Sequence, residues 1–190
     1  MTTIADDARG DQALVARVIA GDEAAFGSLI HRYEARLVRY ATYLLHDEPM
    51  AHDAVQEAFI KTYQNLRSYN KKYKFSSWIY RIVHNEAMNL VKRQRHEVTE
   101  FDETRLDELH AHESSVVQEI DKNILSEALS SCLEELDTRL REVLMLQYYE
   151  QMKYIEIADV LHVPVSTVGV WSSRAKARLR KLCEQKGVTR

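Results

Sequence analysis

The stretch from Tyr154 to Lys181 reads Y-I-E-I-A-D-V-L, then H-V-P, then V-S-T-V-G-V-W-S-S-R-A-K-A-R-L-R-K. Tyr154, Ile157, Ala158 and Leu161 fall on one face of a first helix. That helix is interrupted at His162-Val163-Pro164, because proline has no N–H for the ladder and its ring clashes with the preceding turn. A second helix follows. At about 100° of rotation per residue, Val168, Ser172, Ala175, Leu179 and Leu182 line its buried side, Ser166, Val170 and Ser173 point away, and Arg174, Arg178 and Lys181 share a flank. Two helices around such a turn make a helix-turn-helix, whose exposed N-terminal turns enter a major groove while the basic flank grips phosphates. The charge agrees: from Trp171 to Arg190 there are seven Lys/Arg and one Glu, a net of +6 in a chain whose total is −3. DNA is therefore the first partner to consider.

The rest of the chain is of one structural kind. With 45% hydrophobic and 29% charged residues it can bury a core, and five Gly and two Pro in 190 residues are too few for the turns of an all-β fold. The periodic stretches are rich in strong helix formers, so an all-α fold is predicted. The opening M-T-T-I-A-D-D-A-R-G-D is polar and acidic, and no apolar run approaches the ~18 residues of a membrane span, which predicts a soluble cytoplasmic protein. Cys132 has the spacing of a core thiol and Cys183 lies apart in the basic tail. Neither belongs to a C-x-x-C, so neither predicts a zinc or redox centre.

Charge divides the chain into blocks. Lys61 to Arg95 carries nine Lys/Arg against Glu86 alone, a net of +8, whereas His96 to Asp121 carries nine Asp/Glu against Arg105 alone, a net of −8. The acidic block has little apolar periodicity and reads as a solvated linker, 96–121, between helical domains at 1–95 and 122–190. Folded against the basic blocks, it would mask them in a salt-dependent way. In the first domain a short helix is expected around Asp11 to Ala20, ended by Gly21, and Asp22 suits the cap of a second. Pro49 suits the first turn of a third, and Ser76 the cap of a fourth. The second domain adds helices over about Lys122 to Leu136 and Thr138 to Glu150.

Two surfaces of the first domain are expected to carry function. On the fourth helix, Trp78, Arg81, Asn85, Asn89 and Lys92 fall opposite the buried side of Ile79, Val83, Ala87 and Leu90. Cationic groups suit phosphates, amides suit base edges, and an indole stacks on or wedges beside a base. The preceding loop interleaves Tyr69, Tyr73 and Phe75 with Lys71, Lys72 and Lys74, the composition that holds single-stranded nucleic acid. On the third helix Asp53, Gln56, Glu57, Ile60 and Gln64 lie together while Val55, Ala58, Phe59 and Tyr63 turn inward. That acidic strip with an apolar residue suits a basic protein partner.

Taken with G-D-E-A-A-F, D-A-V-Q-E-A-F, F-S-S-W-I-Y-R-I-V-H-N and R-A-K-A-R-L-R, in this order and spacing, the chain resembles the extracytoplasmic-function sigma factors of bacterial RNA polymerase over nearly its whole length. The resemblance implies two helical domains on a flexible linker, and a non-enzymatic protein without cofactor that directs core polymerase to promoters and assists melting. It implies that Asp53, Gln56, Glu57 and Ile60 dock the β′ clamp, and that the β subunit of core polymerase is a partner as well. By the same resemblance the Tyr69 to Lys74 loop with Trp78, Arg81, Asn85, Asn89 and Lys92 holds the melted minus-ten element. Ser166, Thr167, Val170, Trp171, Ser173, Arg174, Lys176 and Arg178 would then read the minus-thirty-five duplex, and an anti-sigma factor would restrain the protein. The chain departs from the family pattern at His162, where glycine is usual, and at Gly169, Val170 and Trp171, where Lys or Arg, Ser, and Arg are common.

Two other classes are weighed. An operator-binding regulator would need a dimer helix and a ligand or phosphorylation site that the first domain does not offer. His46-Asp47 and His52-Asp53 resemble the pairs of metal-dependent phosphohydrolases but lack the further ligands of an octahedral site, and His110, His112 and Glu113 read as solvated linker residues.

Overall fold

The computed structural model describes residues 4–99 and 127–187, and among these there are helices and turns but no strand. They fall into two compact units, one on each side of the acidic segment.

The N-terminal unit contains α1 (Ile4–Ile19), α2 (Glu23–Leu45), α3 (Glu48–Asn65), a short 3-10 turn (Leu66–Ser68) and α4 (Phe75–Thr99). Their starts follow local chemistry. Asp22 accepts from the Ala25 N–H at 3.2 Å and Asp47 from the Met50 N–H at 2.9 Å, each satisfying a donor that the first turn leaves without a partner. Pro49 occupies the first turn of α3, where its missing N–H costs nothing. Asp47 is thus a helix cap, and His52 lies 3.9 Å from Glu48. Leu29, Tyr33, Leu37 and Tyr40 of α2 meet Ala51, Ala54 and Ala58 of α3 and Ile79, Tyr80 and Val83 of α4 in one core. The three alanines let α3 approach α2 closely.

Helix α1 begins earlier than the expected Asp11 and is tied to α2 by a buried carboxylate. Asp11, 2% exposed, accepts from the Tyr33 hydroxyl at 2.5 Å and from the Arg32 guanidinium at 2.7 Å. Burial, and then the adjacent Asp11 carboxylate, push the Tyr33 phenol far above its ordinary range.

Helix α4 runs through Thr99, beyond the expected domain boundary at residue 95. The remainder of the acidic segment, with His110, His112 and Glu113 and any masking of the basic blocks, lies outside the described residues.

The C-terminal unit contains α5 (Glu127–Glu134), α6 (Thr138–Leu144), a π turn over Met145–Tyr149, α7 (Tyr154–Leu161) and α8 (Val165–Gln185). The helix expected from Thr138 to Glu150 is regular only to Leu144; the Glu150 N–H then reaches back to the Met145 carbonyl at 3.2 Å, and Gln151 turns the chain out at φ 52°. Cys132, Leu136, Leu144, Ala175 and Leu182 form the core, with Leu133, Leu140, Leu179 and Cys183 against it. Cys183 is therefore not an isolated tail thiol: burial, and then its hydrogen bond with Cys132, push it up to about 11. Lys186 pairs with Glu135 at 2.5 Å, so one cation of the basic tail is spent inside the unit. Among the described residues no helix is long and apolar enough to cross a membrane.

Candidate nucleic-acid interface and partner strip

On α3, Asp53, Gln56, Glu57 and Ile60 are all exposed, Ile60 at 51%, as the helical spacing predicted. The strip borders a cleft of about 410 Å³ between α3 and α4, lined by Asp53, Glu57, Lys61, Glu86, Asn89 and Arg93 among others. Lys61 sits 2.6 Å from Glu86 and 3.3 Å from Glu57, and those carboxylates, Glu86 foremost, hold its ammonium above the ordinary lysine range. Glu86, the one acid in the basic block, is thereby explained as a partner of Lys61. Tyr63, expected to face inward, is 47% exposed and lies edge-on to Phe26 at 4.9 Å. Its phenol stays in solvent while only one side of the ring packs. Asn89, exposed as expected on α4, also lines this cleft.

The aromatic platform expected on α4 is turned inward. Trp78 is 8% exposed and Tyr69 is 6% exposed. Their rings lie 5.3 Å apart, and Phe75 stands 5.8 Å from Tyr69 and 5.9 Å from Trp78. Periodicity placed Trp78 opposite Val83 and Ala87, on the exposed side, whereas the residue is buried. The Tyr69 to Lys74 loop folds back over the first turn of α4 and covers the indole, held by the Tyr69 hydroxyl donating to the Tyr73 carbonyl at 2.5 Å. Swinging Trp78 out would forfeit two aromatic contacts of about 0.5–1.5 kcal/mol each and about 1.5–3 kcal/mol of burial. Stacking on one base returns only about 1–3 kcal/mol. Packing wins, and the exposed ring of the loop is Tyr73, at 54%. Lys71, Lys72, Asn85 and Lys92 are exposed as expected, whereas Lys74 and Arg81 are half-buried. The exposed groups of this loop and helix face are thus one ring, a set of ammonium groups and amides.

The turn between α7 and α8 has the geometry that its sequence requires. His162 takes the left-handed conformation at φ 54°, the position glycine occupies at least cost, and its N–H reaches the Ala158 carbonyl. Pro164 then opens α8, its carbonyl accepting from the Thr167 and Val168 N–H groups. Val168, Ser172, Ala175 and Leu182 are buried as the wheel predicts; Ser166, Val170, Ser173, Arg174, Lys176 and Arg178 are exposed, and Thr167 and Trp171 are half-buried. The Lys176 ammonium lies 5.6 Å from the Tyr148 ring centre.

What the sequence did not reveal is a polar node behind the exposed face. Ser172, 0% exposed, donates from Oγ to Gln147 Oε1 at 2.7 Å and accepts from the Tyr154 hydroxyl at 3.1 Å. One hydroxyl therefore joins the π turn, α7 and α8. A serine amid Val168, Ala175 and Leu182 on the buried side was the available signal, because a buried hydroxyl needs partners.

Comparison with known proteins follows the two units. Residues 29–97 match Sigma-70 region 2, and residues 126–179 match Sigma-70, region 4. The RNA polymerase sigma-H factor of Pseudomonas aeruginosa is 33% identical over 178 residues, covering 90% of this chain and 92% of that protein. The ECF RNA polymerase sigma-E factor of Escherichia coli K12 is 32% identical over 165 residues, covering 83% of this chain and 86% of its own. Among solved structures, CnrH in complex with the cytosolic domain of CnrY is similar with a TM-score of 0.66 at 26% identity, covering 93% of this chain and 98% of that one.

Proposed function

This chain belongs to the extracytoplasmic-function RNA polymerase sigma factors, which direct core polymerase to promoters, and we propose that it divides that task between two surfaces. The acidic, amide-bearing strip of Asp53, Gln56, Glu57 and Ile60 docks the β′ clamp, with Asn89 joining it across the α3–α4 cleft. Tyr73, Lys71, Lys72, Asn85 and Lys92, with Lys74 and Arg81 behind them, hold the melted minus-ten strand, and Trp78 and Tyr69 buttress that loop from within. Ser166, Thr167, Val170, Ser173, Arg174, Lys176 and Arg178 of α8 meet the minus-thirty-five duplex, and the β subunit of core polymerase is a partner as well. The first domain runs at least to the end of α4 at Thr99, and the acidic segment beyond it is the linker to the second. The protein works in the cytoplasm as an initiation factor, not an enzyme. An anti-sigma factor restrains it, a reading supported by the capture of the similar CnrH with the cytosolic domain of CnrY.

The observation that carries the proposal is the pairing of an exposed carboxylate strip on one unit with a basic, outward-facing recognition helix on the other. Charge reversal tests it. Asp53→Lys alters an exposed side chain and should move the unfolding free energy by no more than about 0.5 kcal/mol. Glu57→Lys also replaces the exposed Lys61 pair by a like-charge contact and should cost up to about 1 kcal/mol. Together in one variant they set like charges against a basic partner. Titration of core polymerase with the variant should show at least a ten-fold loss of affinity, with circular dichroism unchanged. Undiminished affinity would remove the strip from the interface.

A further inference from the structure

We propose that Val170 reads thymine methyl groups in the major groove, so that the upstream promoter element of this chain holds at least one thymine recognised through its C5 methyl. The inference rests on the reading of α8 as the duplex-facing helix and adds to it a basis of specificity. Val170 lies on the second turn of α8 and is 48% exposed, and Val165, on the first turn, is 45% exposed. Neither branched side chain belongs to the buried cluster of Cys132, Leu136, Leu144, Ala175 and Leu182, nor is either buried elsewhere in the unit. Around the helix, Val170 shares its outward azimuth with Ser166 and Ser173. Arg174 and Lys181 flank that azimuth on one side and Lys176 and Arg180 on the other, all exposed. Two basic flanks fit the phosphate rims of a groove and set whatever lies between them over the base edges.

What lies between them decides the chemistry. Gly169 brings no side chain, and Val170 can neither donate nor accept a hydrogen bond. At position 170 itself the helix offers neither the guanidinium-to-guanine nor the amide-to-adenine contact that reads most bases. The one apolar group that a base pair presents in the major groove is the thymine methyl. Trp171 does not compete for it, since it points away from this azimuth and is half-buried.

The test uses the full chain bound to core polymerase. A random duplex library is selected on that holoenzyme, and each thymine of the recovered upstream element is then replaced by deoxyuridine, which removes only the methyl. The expected result is about a four-fold loss of binding at one or two positions, the effect of burying one methyl. Val170→Ala should cut that thymine preference to less than two-fold, while Ile155→Ala, an exposed residue of α7, keeps it. Equal binding of thymine and deoxyuridine duplexes, or an undiminished ratio in Val170→Ala, overturns the proposal. So does a Val170→Ala variant that loses only an anti-sigma partner. If an upstream element is recovered but ignores the methyls, only the methyl reading fails. If no upstream element is recovered at all, the assignment of α8 fails with it.

Discussion

Replacing Ser172 by alanine removes a hydroxyl that makes two hydrogen bonds in a fully buried position, at 2.7 Å to Gln147 and 3.1 Å from Tyr154. A typical hydrogen bond contributes about 0.5–1.5 kcal/mol net, and a partner left buried without a replacement costs about 1–3 kcal/mol. Gln147 and Tyr154 are both half-buried, so water reaches part of each once the hydroxyl is gone. The expected cost is therefore about 1–2 kcal/mol, below the sum of two full penalties. Urea unfolding of the full chain measures it, with amide hydrogen exchange assigning the loss to α7, the π turn and α8. Tyr154→Phe removes one of the two bonds, so it and Ser172→Ala should be less than additive, with a coupling of about 0.5 kcal/mol or more. A cost for Ser172→Ala under about 0.3 kcal/mol, or strict additivity, would refute the idea that this node sets the helix-turn-helix geometry.

Three further outcomes are expected. Asp11→Ala leaves Tyr33 buried without its acceptor while Arg32, 34% exposed in its side chain, can turn toward water; a loss of about 2–3 kcal/mol is expected from urea unfolding, and a loss under about 1 kcal/mol would mean that apolar packing alone holds α1. Burial, and then the Asp11 carboxylate, hold Tyr33 above its ordinary 10.0 and push Tyr69 up to about 12. Both folded values exceed the unfolded ones, so this stability is complete below pH 10 and falls as pH rises toward 12 and beyond; urea midpoints at about pH 9 and pH 11 should differ, and Tyr33→Phe should narrow the gap. Gly169→Ala should stabilise the C-terminal unit by about 0.5–1 kcal/mol, because the residue is mid-helix and a Cβ there meets only Tyr154 Cε2 at 3.8 Å; a lower melting temperature would contradict this.

Where the fold was legible in the chain, the reason is local. Asp22, Asp47 and Pro49 announce helix starts by chemistry that needs no tertiary context, and the three-to-four residue spacing of Val168, Ser172, Ala175 and Leu182 gives the buried side of α8. The exposed strip on α3 follows from the same spacing. Trp78 shows where such reasoning stops: the wheel put it on the exposed side, and it cannot register the Tyr69 ring packing against the indole. Tyr63 was expected to face inward, and no wheel registers that its ring meets Phe26 while the residue stays 47% exposed. Asp11, Cys183 and Ser172 depend on partners distant in the chain, Arg32, Cys132 and Gln147, and no periodicity carries that information. The left-handed His162 was visible only as a departure from glycine, and the structure shows that histidine accepts the conformation.

The central claim is that two small units, one bearing a polymerase strip and the other a duplex-reading helix, act on promoters only when core polymerase holds both. The direct measurement is transcription from a library of defined templates with core polymerase, with and without this chain, beside duplex binding by the chain alone. The account predicts start sites that appear only with both components and weak duplex binding without polymerase, because neither unit alone buries enough surface for tight binding. Strong, sequence-specific duplex binding by the free chain, with no new start sites on adding core polymerase, would contradict it.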